Sequence, residues 1–200
     1  MKIKVKKRDH LINYLITKYN YKSYLEVGTN KGNNFRKVKC KSKECIDPAK
    51  RFDKLTYHMT SDEAFKIIKK KYDIIFIDGL HLEEQVDKDI LNSLNHLNKN
   101  GTIVIHDCNP SEEIDAGIKS PGKGLPWNGT VYKSIINLRY TREDLDVKVI
   151  NMDYGCGVVR VGSQDLYNKV PIYEAKTWKY FNKERKELLN LVNVKNFIKN

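Results

Sequence analysis

Two aspartates and a histidine stand immediately after two apolar runs of the chain. Asp78 follows the run that ends at Ile77, and His106 and Asp107 follow the run that ends at Ile105. Each run is apolar without alternation, which is typical of a buried parallel strand. If the two strands are neighbours, their ends lie about 5 Å apart. Two carboxylates at that distance can share a hard cation, Mg²⁺ or Mn²⁺.

The histidines beside these carboxylates add further chemistry. His106 as a ligand would move the preference of the site towards a transition metal. His81, three positions after Asp78, is placed to act as a general base on a hydroxyl group. A bound cation would hold the two oxygens of a diol and lower the pKa of the attacking hydroxyl. The structural alternative is that Asp78 caps a turn at Gly79 and Asp107 caps the next loop.

A second pair of acids stands at the ends of two earlier short strand-like segments. Glu26 begins the pattern Glu-x-Gly-x-x-x-Gly that ends at Gly32, and Asp47 lies 21 positions after Glu26. Gly28 permits a tight turn, and Gly32 permits close packing at the next helix. An acid at the position of Asp47 suits a bidentate hydrogen bond to ribose hydroxyls. The alternative is that Glu26 contacts a helix dipole and Asp47 belongs to a turn before Pro48.

The glycine spacing selects among nucleotide-like ligands. A dinucleotide-binding turn needs a second glycine two residues after Gly28, where the backbone approaches the pyrophosphate, and this position is Asn30. Glu26 would also repel a pyrophosphate. These features disfavour an NAD-dependent enzyme and favour a ligand with a cationic end. S-adenosylmethionine is such a ligand, because it carries an α-ammonium and a sulfonium and has no phosphate.

Five short motifs then occur in an order known from one family. They are Glu26–Gly32, Ile46–Pro48, Ser61–Glu63, Ile75–His81 and Ile105–Asp107. In this order they resemble the class I S-adenosylmethionine-dependent methyltransferases, specifically the methyltransferase-24-like group. The later motifs are also similar to those of metal-dependent O-methyltransferases of the macrocin type. The resemblance covers roughly residues 20–161.

The resemblance implies roles for individual residues. The implied cofactor-binding residues are Glu26, Gly28, Thr29 and Gly32 for the methionine part, Asp47 for the ribose, Ser61 and Asp62 for the adenine edge, and Asp78. The implied catalytic residues are Asp78, His81 and Asp107, and the implied metal ligands are Asp78, His106 and Asp107. The macrocin-type pattern has two acids after the fifth strand, and this chain departs from it because His106 stands in the first of those places.

Strands alternate with helices along the chain, which predicts a parallel sheet with helices on both faces. The predicted strands are 24–27, 44–47, 55–59, 72–77, 102–105, 147–150 and 157–161. The predicted helices are 9–20 with Asp9 as cap, 61–71 with Ser61 as N-cap, 83–97 closed by Asn100 and Gly101, 131–138, and 173–192. The last two strands form a hairpin that adds one antiparallel strand. We therefore expect an α/β, Rossmann-like class I methyltransferase fold with a seven-stranded, mostly parallel sheet.

One domain accommodates these elements. It comprises residues 1–200, with the helix at 9–20, a core at 21–162 and a C-terminal helix at about 173–192. Residues 117–129 form a long glycine-containing loop with two interpretations. It is a lid whose Trp127 and the following Tyr132 stack on a sugar or base, or it is a loop anchored to the body by Trp127. Tyr154 in the hairpin turn is a further aromatic candidate for the lid.

The amino-acid composition limits the kinds of binding partner and the location of the protein. The chain of 200 residues has 37 Lys and Arg against 25 Asp and Glu, a net charge of +12. Such an excess is typical of an anionic partner such as nucleic acid, or of a solvated lysine surface. No segment is apolar enough for a membrane span. The four cysteines contain no Cys-x-x-Cys pair, so we expect a cytoplasmic protein with free thiols.

The sequence thus predicts an S-adenosylmethionine-dependent methyltransferase that acts on a hydroxyl of a small molecule or carbohydrate, with Mg²⁺ or Mn²⁺ as a further cofactor. Two alternatives stay open. One is a methyltransferase of RNA or of a glycan polymer that uses the basic surface, and the other is a binding module that kept the fold and lost catalysis. No Asn-Pro-Pro-Tyr motif follows the fourth strand, which argues against N-methylation of DNA bases. The acceptor and the oligomeric state are left open.

Overall fold

The computed structural model describes residues 5–122 and 124–199, so the two ends of the expected 1–200 domain, and Lys123 within the loop, lie outside the described residues. The strands are β1 Ser23–Val27, β2 Ser42–Ile46, β3 Tyr72–Ile77, β4 Leu97–Ile105, β5 Leu145–Ile150, β6 Cys156–Val161 and β7 Leu191–Val192. The α-helices are α1 Arg8–Tyr19, α2 Ser61–Ile67, α3 Glu83–Asn95, α4 Val131–Thr141, α5 Ile172–Ala175, α6 Trp178–Leu188 and α7 Val194–Lys199.

All seven strands belong to one sheet in the order β2-β1-β3-β4-β6-β5-β7. Every pairing is parallel except those of β6, which runs antiparallel to both β4 and β5. The predicted mixed sheet with one antiparallel strand from a hairpin is therefore confirmed.

The side chains of the central strand β3 alternate between two cores. Ile75 and Ile77 belong to the core shared with α2, α3, α4 and α6, whereas Ile74 and Phe76 belong to the core shared with α1. All four are at most 2% exposed. Because successive side chains of a strand point to opposite faces, this continuous apolar run requires helices on both sides of the sheet, as predicted.

Two predicted elements near the sheet edges are wrong. Residues 55–59 form no strand but a single bridge between Tyr57 and Ile46. The side chain of Thr56 accepts a hydrogen bond of 3.2 Å from the backbone N–H of Cys45, which takes the place of a ladder bond. The predicted helix 173–192 is interrupted between α5 and α6, and after Asn190, whose backbone is left-handed, the chain pairs with β5 as β7.

The helix caps also differ from those predicted. Lys7 occupies the N-cap position of α1, and Asp9 lies inside its first turn. The N-cap of α2 is Thr60 rather than Ser61, and the helix ends at Ile67. The Thr60 hydroxyl accepts from the backbone of Glu63, whose carboxylate accepts from the backbone of Thr60 at 2.9 Å. This reciprocal arrangement is a capping box and leaves the Ser61 hydroxyl available elsewhere.

Asn100 and Gly101 do not close α3. His96 is the C-cap of that helix, and both residues lie within β4, where the register against β3 shifts. A Cβ at Gly101 would lie 2.7 Å from the Leu97 side chain. Gly101 therefore allows the irregularity in β4. The sequence pattern alone does not distinguish such a glycine from one at the end of a helix.

Within residues 5–122 and 124–199, no helix combines the length and the apolar character that a membrane crossing needs. Cys40, Cys45, Cys108 and Cys156 are free thiols, as predicted, and all but Cys40 are buried.

Candidate active site

Four acidic side chains from adjacent parallel strands meet at one edge of the sheet. Asp47, Glu26, Asp78 and Asp107 lie at the carboxyl ends of β2, β1, β3 and β4, which are consecutive in the sheet. All four line a single cavity of about 800 Å³. The other predicted site residues on its wall are Gly28, Thr29, Ser61, Asp62, His81 and His106. Gly32 is not among the lining residues of this cavity.

Glu26 is held by two neighbours in an almost fully buried position. It is 1% exposed, and one carboxylate oxygen accepts hydrogen bonds from the Tyr24 hydroxyl and, at 2.7 Å, from the Asn34 side-chain amide. Burial raises the pKa of Glu26 to about 7, although both hydrogen bonds oppose the increase. A cationic ligand would stabilise the ionised form of Glu26, because it would supply a positive charge next to the buried carboxylate.

Asp47 connects β2 to the turn after β1. Its two oxygens accept from the backbone N–H groups of Asn30 and Ala49, each at 2.7 Å. Each carboxylate oxygen has a second lone pair, so Asp47 can still accept hydrogen bonds from a diol. Its orientation is fixed before any ligand binds.

The two glycines of the first motif meet different constraints. Gly28 has a φ of +85°, and a Cβ there would lie 2.2 Å from the carbonyl oxygen of Asp78. Gly32 has a φ of +73°, and a Cβ there would lie 2.7 Å from the ring of Phe52. Gly28 therefore allows the turns after β1 and β3 to touch at the cavity wall, whereas Gly32 serves packing beneath the wall.

A polar cluster of α2 and α3 forms another part of the wall. The Ser61 hydroxyl donates to Asp89 at 2.6 Å. The side-chain amide of Gln85 lies within hydrogen-bond distance of Ser61, Asp62 and Asp89, at 3.1 to 3.2 Å. The predicted residues Ser61 and Asp62 are thus brought together with two residues of α3 that no motif indicated.

The acid and histidine cluster after β3 and β4 is compact. His81 Nε2 lies 3.6 Å from Asp78, and its Nδ1 lies 3.5 Å from Asp107. His106 Nδ1 lies 3.4 Å from Asp78 and 3.0 Å from Asp107. The two carboxylates therefore lie between two imidazoles, which confirms the predicted proximity of the strand ends but not any chemical role.

The charges in this cluster shift one another's proton affinity. Burial by itself lowers the pKa of His81, but Asp78 and Asp107 outweigh it, and the net shift is upward. The same balance raises the pKa of His106 well above its ordinary value, with Asp78 as the largest opposing contribution. Burial opposes the ionisation of Asp78, yet His106, His81 and Arg8 lower its pKa below the usual range. Asp78 is therefore ionised.

Arg8, at the start of α1, reaches this cluster from outside the sheet. Its guanidinium lies 3.4 Å from Asp78 and 2.6 Å from His106 Nδ1. Its backbone N–H donates to the carboxylate of Asp153 at 2.9 Å. Asp153 lies in the hairpin turn and also approaches His106 at 3.5 Å. The first helix thus places a permanent cation at the cavity, which the sequence patterns did not indicate.

The loop before α4 is both anchored and part of the cavity wall. The Trp127 ring stacks on His81, with centroids 5.1 Å apart, and its indole N–H donates to the carbonyl of Gly117 at 2.8 Å. Asn128 donates to Asp107 at 2.9 Å. The loop is therefore anchored by Trp127, which also lines the cavity; its role as a lid that stacks on a sugar or base stays a prediction.

The two other aromatic residues predicted for the lid, Tyr132 and Tyr154, lie in different environments. Tyr132 is 3% exposed and packs 4.2 Å from the ring of Phe181 in the core, so its assignment to the lid is wrong. Its position in the first turn of α4 directs it inward. Tyr154 is 46% exposed and lines the cavity.

Three side chains of the cluster have the chemistry and proximity that one metal ion requires. Asp78, His81 and Asp107 each offer a ligand atom, and these atoms lie within 4.8 Å of one another. His106, the predicted third ligand, contacts the same carboxylates but also lies against Arg8. Two carboxylates and an imidazole suit Mn²⁺ or a transition metal at least as well as Mg²⁺.

Comparisons with known proteins agree with this architecture. A family model described as a methyltransferase domain matches residues 42–108. The O-methyltransferase from Bacillus cereus in complex with S-adenosylhomocysteine (SAH) aligns with a TM-score of 0.58 at 10% identity, over 81% of this chain and 84% of that chain. The SAH-bound methyltransferase PaMTH1 from Podospora anserina aligns with a TM-score of 0.57 at 16% identity, over 78% of each chain.

A third similar structure contains the methyl donor itself. The O-methyltransferase TomG from Streptomyces achromogenes, involved in tomaymycin synthesis and solved with S-adenosylmethionine, has a TM-score of 0.57 at 14% identity, over 78% of this chain and 80% of that chain. No curated protein is significantly similar in sequence. The structural similarity and the strand order confirm the expected fold, which this chain shares with these methyltransferases, and a methyltransferase-domain model matches residues 42–108.

Proposed function

We propose that this protein is an S-adenosylmethionine-dependent O-methyltransferase that acts on a hydroxyl group of a small molecule or carbohydrate. The observation that carries the proposal is that Glu26 and Asp47, at the ends of two paired strands, open into the same cavity as Asp78, His81 and Asp107. A donor site and a proton-accepting site are thereby contiguous. Similar structures that are described as O-methyltransferases support the choice of acceptor atom.

The donor would be bound at its amino-acid end and at its ribose. The carboxylate of Glu26 pairs with the α-ammonium of the methionine part, and Asp47 accepts hydrogen bonds from both ribose hydroxyls. Gly28 and Asp78 line the part of the cavity that would hold the sulfonium. Holding the methyl group in line with an acceptor oxygen supplies most of the acceleration, because positioning removes the entropic cost of bringing two reactants together.

His81 is the residue we assign to deprotonation of the acceptor. Its Nδ1 lies 2.8 Å from the carbonyl oxygen of Trp127, so Nδ1 carries a proton, and Nε2 offers its lone pair when the imidazole is neutral. The raised pKa of His81 means that the neutral, active form increases with pH. The acceptor's proton passes to Nε2 as its oxygen attacks the methyl carbon and the carbon–sulfur bond breaks. Asp78, 3.6 Å from Nε2, stabilises the imidazolium that forms.

A divalent cation is a second way to activate the hydroxyl. Asp78, His81 and Asp107 are the residues that would hold it, and a bound ion would lower the pKa of the acceptor hydroxyl. If His81 ligates the ion, it does not act as the base. An experiment with a chelator separates the two roles of His81. If His81 is the base, the activity depends on His81 and resists the chelator. If His81 is a metal ligand, the chelator abolishes the activity.

Calorimetry with S-adenosylmethionine tests the donor site. We expect binding to the wild type and a loss of roughly 100-fold in affinity for Asp47→Ala, because hydrogen bonds to a charged acceptor are removed. Asp53→Ala is the matched control, since the Asp53 side chain is 75% exposed. Absence of binding to the wild type at high micromolar donor would refute the proposal. A screen of diols and sugars with methyl-labelled donor then identifies the acceptor class.

A further inference from the structure

The two oxygens of the Glu26 carboxylate have different surroundings. Oε2 accepts hydrogen bonds from the Tyr24 hydroxyl and, at 2.7 Å, from the Asn34 side-chain amide. Oε1 makes no hydrogen bond with any described residue, although Glu26 lines the cavity. The protein therefore holds one oxygen of the carboxylate and leaves the other for a ligand.

Strand β1 places Tyr24 where it can hold this oxygen. Tyr24 precedes Glu26 by two residues, so both side chains point to the same face of the sheet. Tyr24 is 0% exposed, and its hydroxyl accepts a hydrogen bond of 3.1 Å from the Asn34 amide while it donates to Glu26. Burial raises the pKa of Tyr24 well above its ordinary value, so its hydroxyl keeps its proton and remains a donor.

This group of three side chains lowers the stability of the empty protein. The side-chain oxygen of Asn34 is buried and has no hydrogen-bond partner among the described residues, which costs free energy. Burial raises the pKa of Glu26 to about 7, so the ionised carboxylate is also poorly compensated. Polar groups kept at such a cost are typical of a functional site.

Among all the groups that act on Glu26, Tyr24 most favours the ionised form. Burial opposes ionisation, and the hydrogen bond from Tyr24 is the largest contribution that lowers the pKa of Glu26, followed by that from Asn34. Further titratable groups interact with Glu26 electrostatically from the neighbouring elements: Asp78 after β3, Arg8 of α1, and Lys43 and Cys45 of β2. The hydroxyl of Tyr24 is thus the group whose removal should most change the charge state of Glu26.

We infer that Tyr24 and Asn34 are positioning residues of the donor site, which hold Oε2 of Glu26 so that Oε1 meets the α-ammonium, and that the Tyr24 hydroxyl sets the lowest pH at which the donor binds tightly. The inference rests on the proposed donor. It goes beyond that proposal because it assigns a function to Tyr24, which does not line the cavity. Without the hydroxyl, the buried carboxyl keeps its proton to a higher pH, and the ammonium then meets a neutral group.

The pH dependence of SAH binding tests the inference. Calorimetry is carried out between about pH 5.5 and 8.5 on the wild type, Tyr24→Phe and Tyr72→Phe. Tyr72 is the matched control, because it is also a buried strand tyrosine whose hydroxyl donates to a glutamate, Glu44, and it does not line the cavity. We expect Tyr24→Phe to raise the midpoint of the pH dependence by about one pH unit. Its affinity should be roughly tenfold below that of the wild type at about pH 6 and within about threefold of it at about pH 8.5.

A merely structural role of Tyr24 would lower the affinity equally at every pH. An unshifted midpoint in Tyr24→Phe therefore overturns the inference, and so does an equal shift in Tyr72→Phe. If Tyr24→Phe does not fold, Asn34→Ala is measured instead, and the midpoint must rise there too, because the Asn34 amide also favours the ionised carboxylate. Failure of the wild type to bind SAH at any of these pH values would contradict the proposed donor itself, whereas binding with an unshifted midpoint contradicts the inference alone.

Discussion

The guanidinium of Arg8 lies 3.4 Å from the carboxylate of Asp78, which joins the first helix to the end of the central strand β3. The contact is made inside a cluster that also holds His81, His106 and Asp107. A fixed cation at this place stabilises the ionised form of Asp78, which is one cause of its lowered pKa. It also competes electrostatically with any metal ion at the same carboxylates.

Replacement of Arg8 by methionine should strengthen metal binding. Removing a positive charge a few ångströms from the ligand atoms relieves repulsion that is worth on the order of 1–2 kcal/mol in a partly solvated site. We therefore expect Mn²⁺, followed by electron paramagnetic resonance, to bind roughly tenfold tighter to Arg8→Met than to the wild type. Arg36→Met is the control, because Arg36 pairs with the exposed Asp53. Equal Mn²⁺ affinity in all three proteins would show that Arg8 does not oppose a metal.

The affinity for SAH should rise with pH between 5.5 and 7. Glu26 has a pKa of about 7 in the empty protein, and only its ionised form pairs with the ammonium. Over this interval the ionised fraction increases from about 0.03 to about 0.5, roughly 15-fold, and the affinity should follow. Glu26→Gln should bind more weakly and show little pH dependence. A pH-independent wild-type affinity would mean that Glu26 does not contact the ammonium.

The carboxyl of Glu26 should lower the free energy of unfolding of the ligand-free protein at high pH. Its pKa is raised from 4.5 to about 7 on folding, so the native state holds the proton more tightly than the unfolded state. Stability is then unaffected below about pH 4.5 and falls as the pH rises to 7, by on the order of 3 kcal/mol. Glutamine stays neutral and can accept the same hydrogen bonds.

We therefore expect Glu26→Gln to melt roughly 5–10 °C above the wild type at pH 8 and close to it at pH 4.5. Thermal unfolding of the ligand-free proteins at the two pH values measures the difference. A variant that is less stable than the wild type at pH 8 would show that the buried carboxylate is well compensated. Improved stability with impaired ligand binding would mark Glu26 as a residue kept for function.

Gly129 should be required for the position of His81. A Cβ there would lie 1.9 Å from the carbonyl oxygen of His81, and the φ of Gly129 is +59°. Gly124 also has a left-handed φ, of +85°, but a Cβ there would meet no atom of the described residues, its chain neighbours aside, within 4 Å. Alanine in a left-handed backbone conformation is strained at both positions. The difference in stability between Gly129→Ala and Gly124→Ala therefore measures the clash of the new Cβ with the carbonyl oxygen of His81.

Gly129→Ala should accordingly lose about 2 kcal/mol or more relative to Gly124→Ala, measured by urea unfolding. Once the acceptor is known, Gly129→Ala should also lose methyl transfer while keeping SAH affinity within a few-fold, because His81 moves and the donor residues do not. Similar stability and activity of the two variants would contradict the close contact between the loop and His81.

The parts of this site that strands position were accessible from the sequence. Residues at the end of a buried strand, or directly after it, lie at the edge of a parallel sheet, which is sufficient to place Glu26, Asp47, Asp78 and Asp107. The failures concern short or irregular pieces. Residues 55–59 have strand composition, but the Thr56 side chain takes the hydrogen bond that a ladder would make.

Tertiary contacts account for what the sequence missed. Arg8 precedes its partner Asp78 by 70 positions and belongs to no motif. Its approach depends on how α1 packs against the sheet. Gln85 and Asp89 are polar residues at helical spacing within an amphipathic helix. This pattern predicts a polar helix face, but it does not indicate that the face lines the cavity. Asn34 reaches Glu26 from a turn without regular structure.

A crystal structure of the protein with SAH tests the central claim most directly. We predict the α-ammonium within about 3 Å of the Glu26 carboxylate and both ribose hydroxyls within hydrogen-bond distance of Asp47, with the sulfur turned towards Asp78 and His81. Density for the ligand at any other place, or in the cavity with its ammonium directed away from Glu26, would contradict the account.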